Sequence, residues 1–184
     1  GIADGRWTGK KKDRIGESRV KGTLLLSRAL VGLDPRPRVL VSASAYGYYG
    51  DRGDEVLRED SEPGSDFLAE VTRQWEASTR PASEAGIRVV NARFGMVLGA
   101  GGGALGRMLL PFRLGLGARL GSGRQYVSWV SLEDTVRALS HVLEDDGLAG
   151  PVNVAAPEAV TNSEFTRALG RALSRPALFR APGL

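Results

Sequence analysis

Two short, nearly continuous apolar runs constrain the fold of this chain more than any other feature of its sequence. They are residues 38–44 (RVLVSAS) and residues 87–93 (IRVVNAR), and each passes at its end into small polar residues or glycine. A strand with one face in water would alternate between apolar and polar residues, whereas these runs are typical of strands buried on both faces of a parallel sheet. Because parallel strands are joined by helical crossovers, the runs predict an α/β fold.

Helix-forming stretches stand before and between these two strands. Residues 7–31 carry an apolar stripe at helical spacing, and residues 66–80 form a second predicted helix, with Ser65 as its N-cap and Pro81 near its end. The resulting order of helix, strand, helix, strand is half of a doubly wound parallel sheet.

The pattern changes after residue 98, where the predicted elements become shorter and more mixed. We therefore expect two parts, residues 1–98 and residues 99–184. The later elements are a helix over 105–116, a short strand within 126–131, a helix from Ser131 to about Glu144, a strand in GPVNVAA, and a last helix opened by a capping box at Thr161 and Glu164.

Composition excludes several classes of site. The 184 residues contain no cysteine, which excludes disulfides, zinc–thiolate centres and cysteine nucleophiles. His141 is the only histidine, so a multi-histidine metal site is impossible. We expect no metal, and we assign no role to His141.

Charge and hydropathy narrow the range of partners. The net charge of +4 comes from 25 basic and 21 acidic residues, and its only cluster is the KKK of residues 10–12. A short lysine run is typical of a solvated helix face, so we expect no nucleic acid partner. The sequence contains neither an apolar stretch of membrane-spanning length nor a signal peptide, which predicts a cytoplasmic protein without a membrane partner.

The stretch VLGAGGGALGRMLLPF (residues 97–112) contains a tempting glycine motif. Gly101, Gly103 and Gly106 spell G-x-G-x-x-G between a predicted strand and a predicted helix. That fingerprint belongs to the first strand and helix of a dinucleotide-binding fold, whereas here at least two strands precede it, and no acidic residue follows at the required distance. We interpret the stretch as a hinge into the second part of the chain.

Eight stretches, in chain order, carry a resemblance to a known family: ADGRWT, SRVKGT, VSASAYGYYGD, EDSEPGSDFLAEV, WEA, GMVLGAGGGALGRMLLPFRLGLG, GSGRQ and VTNSEFTRALGRAL. Through them the chain resembles the atypical extended short-chain dehydrogenases/reductases of the NAD-dependent epimerase/dehydratase superfamily, and within these the "epimerase family protein" group.

The resemblance implies a partial Rossmann-type doubly wound parallel sheet with a small substrate-covering α+β part. Residues 1–98 would be the C-terminal half of an NAD(P)-binding domain, and residues 99–184 the substrate-covering part with interleaved Rossmann elements. Family members begin with a strand and a pyrophosphate-binding glycine turn, so the chain is expected to be a fragment that lacks this N-terminal motif. NADP or NAD is the implied cofactor, and a small molecule is the implied substrate.

The family's usual catalytic residues are a serine and a Tyr-x-x-x-Lys pair, and only the serine has a match here. Ser44 occupies the serine position. No tyrosine has a lysine four residues later, and no lysine follows Lys21. The matching helix offers Phe67 and Val71, or Leu68 and Thr72, and neither pair transfers a proton. Tyr48 or Tyr49 could supply a substitute phenol, with aromatic packing in a loop as the alternative.

Further residues are predicted to bind ligands because they match family positions. Gly95 would let the backbone approach the cofactor, or would only form a turn. Arg124 suits a phosphate or carboxylate of the substrate, since its guanidinium is planar. The full prediction is Arg19, Ser42, Ser44, Arg93, Gly95 and Val97 for the cofactor, and Met108, Arg124 and Gln125 for the substrate.

Two functions follow from this resemblance. The first is an NAD(P)-binding epimerase or oxidoreductase that acts on a small molecule, with nucleotide-linked molecules among the candidates. The alternative is a non-catalytic nucleotide-binding protein that has lost the Tyr-x-x-x-Lys pair. The sequence predicts neither the choice between NADP and NAD nor an oligomeric state.

Overall fold

A computed structural model of the chain describes residues 7–182, so only the last two residues of the ADGRWT motif lie within it. The helices of this part are α1 Gly9–Val31, α2 Phe67–Ala77, α3 Arg80–Glu84, α4 Gly103–Arg113, α5 Leu132–Glu144 and α6 Asn162–Ala172. The strands are β1 Val39–Ala45, β2 Arg88–Phe94, β3 Met96–Leu98, β4 Ala118–Leu120, β5 Tyr126–Val127, β6 Trp129–Ser131, β7 Gly150–Val154, β8 Val160–Thr161 and β9 Phe179–Ala181.

The two apolar runs form neighbouring strands, as predicted. A three-stranded sheet has the order β1-β2-β7, and the connection from β1 to β2 contains α2 and α3. The buried apolar side chains behind β1 and β2 are contributed by both strands and by α3, with Leu30 of α1 packed against them: Leu40, Ala82, Ile87 and Val89. The α/β prediction is therefore confirmed.

The described residues form two compact units. The first comprises the described residues up to Arg52, Val56–Arg93 and Ser140–Asn153, and the second comprises Gly53–Glu55, Phe94–Leu139 and the described residues from Val154 onwards. The functional division at residue 98, into a cofactor part and a substrate part, stays a prediction.

The second predicted helix differs from expectation at both ends. Its N-cap is Asp66 rather than Ser65, and the Asp66 carboxylate accepts a hydrogen bond of 2.8 Å from the backbone N–H of Ala69. The helix ends at Ala77, and Pro81 lies in the first turn of α3 instead of ending α2. Proline is tolerated there because first-turn N–H groups have no partner within the helix.

The second unit contains short paired strands together with α4, α6 and the first part of α5. β3 pairs with β6 and β4 pairs with β9, both in parallel, while β5 pairs with β8 in antiparallel fashion. The capping box at Thr161 and Glu164 is present at the start of α6, as predicted. The glycine-rich stretch leads into α4, which begins at Gly103 with a positive φ of 64°. Among residues 7–182, no helix is both long and apolar enough to cross a membrane.

The loop after β1 has a closed neck. The backbone N–H of Gly64 donates to the carbonyl of Tyr48 over 2.9 Å, and Gly50, with a φ of 68°, lies directly against Gly64. The residues between the two glycines thus form a loop whose ends meet, as in other compact surface loops.

Gly64→Ala should destabilise the protein by about 1–3 kcal/mol, the usual cost of overpacking. The new Cβ would lie 2.6 Å from the carbonyl oxygen of Tyr49 and 2.9 Å from the backbone of Gly50, so the neck of the loop would have to open. Gly106→Ala is the control, because within residues 7–182 its Cβ position in α4 has no atom within 4 Å apart from its chain neighbours and the backbone of its own helix. It should stabilise the protein by about 0.5–1 kcal/mol. Urea unfolding of both variants tests this, and equal effects would contradict it.

Candidate functional site

Two serine hydroxyls lie at the carboxyl end of β1 in the first unit. Side chains alternate along a strand, so Leu40, Ser42 and Ser44 share one face, and all three are buried. Ser42 is 7% exposed, and the contact of its Oγ is a long one of 3.4 Å to the carbonyl of Ala43. Ser44 is 3% exposed. The strand thus presents two buried hydroxyls where a parallel sheet usually binds its ligand.

Ser44 is held by a carboxylate from the neighbouring helix. Its hydroxyl donates to Oε1 of Glu76, in the last turn of α2, over 2.5 Å. Arg93, near the end of β2, donates to the same carboxylate from Nε to Oε1 over 2.8 Å and from Nη2 to Oε2 over 2.9 Å. The pair is bidentate and closed off from water, since the side chains of Arg93 and Glu76 are 3% and 12% exposed.

The remaining contacts of Arg93 are also internal. Its Nη1 donates to the hydroxyl of Tyr49 over 2.9 Å and to the carbonyl of Glu59 over 3.1 Å. Four of the five N–H groups that a guanidinium carries are therefore engaged. Burial by itself lowers the pKa of Arg93, but its hydrogen bonds to Glu76 and Tyr49 outweigh this and raise that pKa, so the side chain stays charged.

The two neighbouring tyrosines have different surroundings. The Tyr49 hydroxyl accepts from Arg93 and donates to Oδ1 of Asn153, in β7, over 2.7 Å, so its proton is already committed. The ring of Tyr48 lies under the Arg93 guanidinium at 3.5 Å, and the two tyrosine rings meet edge to face. Of the two predicted phenols, Tyr49 is part of the internal network, and a catalytic role of Tyr48 stays a prediction.

The helix positions that would carry the family's Tyr-Lys pair are occupied by packing residues. Thr72 is 4% exposed, and its hydroxyl donates to the carbonyl of Leu68 over 2.7 Å, within the helix itself. Phe67 lies at the start of α2 and contacts Trp7 and Lys12, while Val71 is buried. Neither pair provides a group that titrates.

Arg19, a predicted cofactor residue, lies on α1 in the same unit. Its Nη1 donates to the carbonyl of Ile15 over 3.1 Å, and its guanidinium lies 5.4 Å from the centre of the Trp75 ring. The side chain is half-buried. The structure therefore places Arg19 beside α2, and its role toward a cofactor stays a prediction.

Gly95 and Val97 belong to the second unit. A Cβ at Gly95 would lie 3.0 Å from the backbone of Ser128 and Trp129, so a close approach does require glycine here, and the approaching group is protein backbone. Val97 is half-buried in β3 and pairs with Val130 of β6. Their predicted contacts with a cofactor stay predictions.

The predicted substrate residues also lie in the second unit. Met108 is half-buried on α4, and Arg124 and Gln125 are exposed in the loop before β5. The amide of Gln125 donates to the carbonyl of Leu120 over 3.0 Å, which fixes the loop. Next to them, a hydrogen bond to Asp54 raises the pKa of Tyr126.

The sequence analysis missed three members of the buried network: Glu76, Glu59 and Asn153. The Glu59 side chain accepts a hydrogen bond of 2.9 Å from the backbone N–H of Asn153, which ties the long loop to β7. One signal was present. Arg93 follows the apolar residues of a strand predicted to be buried, and a buried arginine requires a carboxylate partner. No group of three or more potential metal-ligating side chains occurs among the described residues.

Comparisons with known proteins agree with this architecture. A sequence model of the NAD dependent epimerase/dehydratase family matches residues 1–155. An epimerase family protein of Mycobacterium bovis is 49% identical over 183 residues, which are 100% of this chain and 60% of that protein. The chain thus spans about 60% of the length of such curated relatives.

Two solved structures are similar in fold and sequence. The human epimerase family protein SDR39U1 (isoform 2), crystallised with NADPH, superposes with a TM-score of 0.94 and 37% identity, over 99% of this chain and 62% of that chain. The nucleoside-diphosphate sugar epimerase of Corynebacterium glutamicum superposes with a TM-score of 0.82 and 37% identity, over 97% of this chain and 39% of that chain. The predicted Rossmann-type fold is confirmed.

Arg93→Met should destabilise the protein by about 3–5 kcal/mol, because it leaves the Glu76 carboxylate buried without its partner. Arg93→Met/Glu76→Leu should cost clearly less than the sum of the single variants, since it removes both charges. Arg137→Gln is the control: its partner Glu133 is 74% exposed, and such pairs contribute less than about 1 kcal/mol. Denaturant unfolding of these three variants and of Glu76→Leu alone measures the effects, and additive effects at Arg93 and Glu76 would contradict the coupling.

Asp54→Asn should lower the pKa of Tyr126 toward its ordinary value, because the hydrogen bond to the carboxylate favours the neutral phenol. A raised pKa in the folded state contributes stability that is complete below the unfolded value and disappears as the pH rises through the folded value. Because Asp54→Asn brings the folded pKa back toward the unfolded value, the alkaline loss of stability that comes from Tyr126 should shrink in the variant. Ultraviolet titration of the phenol, with Tyr126→Phe to assign the signal, tests this, and an unchanged pKa would refute it.

Proposed function

This chain belongs to the NAD dependent epimerase/dehydratase family, and on that premise we propose that it is part of an NADP- or NAD-binding oxidoreductase or epimerase acting on a small molecule. Its reactive end is the carboxyl end of β1, where Ser44 serves as the catalytic hydroxyl. Nucleotide-linked molecules are among the candidate substrates, because the Corynebacterium glutamicum relative is described as a nucleoside-diphosphate sugar epimerase.

The observation that carries the proposal is the ion pair that holds Ser44. Two charges placed out of water cost several kcal/mol each, and apolar residues of similar size would often stabilise a core as well or better. Here the buried Glu76 and Arg93 orient one hydroxyl at the ligand-binding end of the sheet. An arrangement that fixes a reactive group, even though two charges must be desolvated to hold it, is typical of a functional site.

The residues of the first unit fit a cofactor of this kind. The Ser42 hydroxyl is buried and has a long contact of 3.4 Å within its own strand, so it is available to a ribose or carboxamide group. Arg19 has N–H groups beyond its one helix contact. We propose that Ser42 and Arg19 bind the cofactor, and that Arg93 supports the site without touching it. A bound NADP or NAD would supply hydride transfer.

The second unit contributes the other proposed contacts. The backbone at Gly95 and Val97 would approach the cofactor, and Met108, Arg124 and Gln125 would bind the substrate. The Arg124 side chain is exposed. Its loop is held by other groups, namely the backbone N–H of Arg124 and the side-chain amide of Gln125. A guanidinium in such a loop suits a phosphate or carboxylate.

A non-catalytic nucleotide-binding protein is the second candidate, and one observation favours it. The Tyr49 phenol is committed to Asn153, and the helix positions for a Tyr-Lys pair hold Phe67 and Val71 or Leu68 and Thr72. General acid–base catalysis of the usual kind is therefore missing, unless Tyr48 replaces it.

Fluorescence titration of the full-length protein with NADPH and NADH, followed by NADPH oxidation with a panel of carbonyl compounds, tests both candidates. Ser44→Ala should still bind the cofactor through Ser42 and Arg19 and lose turnover by about 10-fold or more, because the variant removes a hydroxyl that hydrogen-bonds the reacting group. Ser83→Ala, an exposed serine of α3, should change neither measurement. Tyr48→Phe shows whether that phenol takes part.

The outcomes separate the candidates. Turnover that depends on Ser44 supports the enzyme, and turnover that survives Ser44→Ala contradicts the role of that serine. Tight cofactor binding without turnover of any carbonyl supports the non-catalytic protein. Absence of NADPH and NADH binding would overturn both.

A further inference from the structure

We propose that Glu76 is a positioning residue that fixes Ser44 as a hydrogen-bond acceptor toward its ligand. Ser44 would then contact a group that donates a hydrogen bond, such as an alcohol, rather than a carbonyl oxygen. The proposal rests on the proposed function for the presence of a ligand at Ser44, but the polarity of the hydroxyl follows from the network alone.

The donors and acceptors around Glu76 have only one consistent arrangement. Arg93 donates to both carboxylate oxygens, and a guanidinium has no acceptor. Glu76 is thus the acceptor on both of its oxygens, and the remaining donor beside Oε1 is the Ser44 hydroxyl. The contact of 2.5 Å between Ser44 Oγ and Glu76 Oε1 is therefore donated by the serine.

A serine hydroxyl has a single proton, so this contact uses its whole donor capacity. What remains at Ser44 is a pair of acceptor positions. A carbonyl oxygen placed there would face another acceptor, whereas an alcohol or an N–H group would complete a hydrogen bond. Because Arg93 holds Glu76 in a bidentate pair, the hydroxyl is not free to rotate away without breaking a charge-assisted bond.

Ser42 provides an internal comparison. It lies two residues earlier on the same face of β1 and is also buried, at 7% exposed, but its hydroxyl contacts a backbone carbonyl at 3.4 Å rather than a carboxylate. A difference in thiol pKa between cysteines placed at positions 42 and 44 would thus come from the carboxylate partner and not from burial.

Cysteine scanning at these two positions tests the proposal without any ligand. The 184 residues contain no cysteine, so Ser44→Cys or Ser42→Cys introduces their only thiol, whose pKa is readable from the ultraviolet absorbance of the thiolate. Burial should raise both thiol pKa values above the ordinary value of about 8.5, and the Glu76 carboxylate should raise that of Ser44→Cys further.

Glu76→Gln, added to each cysteine variant, supplies the decisive comparison. An amide has N–H groups that donate to a thiolate, so the thiol pKa of Ser44→Cys should fall by about one pH unit or more. That of Ser42→Cys should stay unchanged. Equal pKa values in the two single variants, or equal responses to Glu76→Gln, would overturn the proposal. If Glu76→Gln does not fold, the comparison of the single variants decides.

Turnover in the full-length protein adds a readout of ligand polarity. In Glu76→Gln, where the amide would release the Ser44 proton, KM should rise for alcohol substrates and fall for their carbonyl products. A parallel change in both KM values would contradict the polarity. If the wild-type protein did not bind NADPH, the proposed function would be contradicted. The thiol titration would still decide the role of Glu76.

Discussion

The buried ion pair of Arg93 and Glu76 is the interaction on which the first unit depends. It joins the end of β2 to the last turn of α2, and the same guanidinium reaches the turn after β1 through Tyr49 and the long loop through the carbonyl of Glu59. Asn153 extends the network to β7 through Tyr49. Through these contacts one cation is linked to all three strands of the sheet.

This network explains how a site can be ordered without the Tyr-Lys pair that the resemblance led us to look for. The charged lysine that would orient reactive groups is absent, since no lysine follows Lys21. In the first unit the buried positive charge comes from Arg93 of β2, and Glu76 of α2 accepts hydrogen bonds from both Arg93 and Ser44. Because a guanidinium is planar and has five donors, it fixes several partners at once, which an ammonium group does less well.

The fold could be predicted from local patterns, whereas the network could not. The branched apolar side chains of residues 38–44 and 87–93 predict the two strands, and Thr161 with Glu164 predicts the start of a helix. The N-cap is Asp66 rather than the predicted Ser65, and both residue types are good caps, so the local sequence did not distinguish them.

Long-range pairing is the part that local patterns leave open. Glu76 and Arg93 are 17 residues apart on different elements, and Asn153 comes from a strand much later in the chain. Their contacts depend on strand order and on which helix face meets the sheet. An arginine within a buried strand indicates that a carboxylate must pair with it, but the sequence does not show which carboxylate this is.

The closed neck at Gly50 and Gly64 allows the loop between these glycines to change in length or sequence without a change in the neighbouring strands. Because the ends of the loop meet regardless of what lies between them, added residues would cost little: each doubling of loop length adds only about 0.6 kcal/mol of closure entropy. The strands on either side need not move. Variation between these two glycines would therefore change the loop more than the strands, and Glu59 is a point where the loop contacts both Arg93 of β2 and Asn153 of β7.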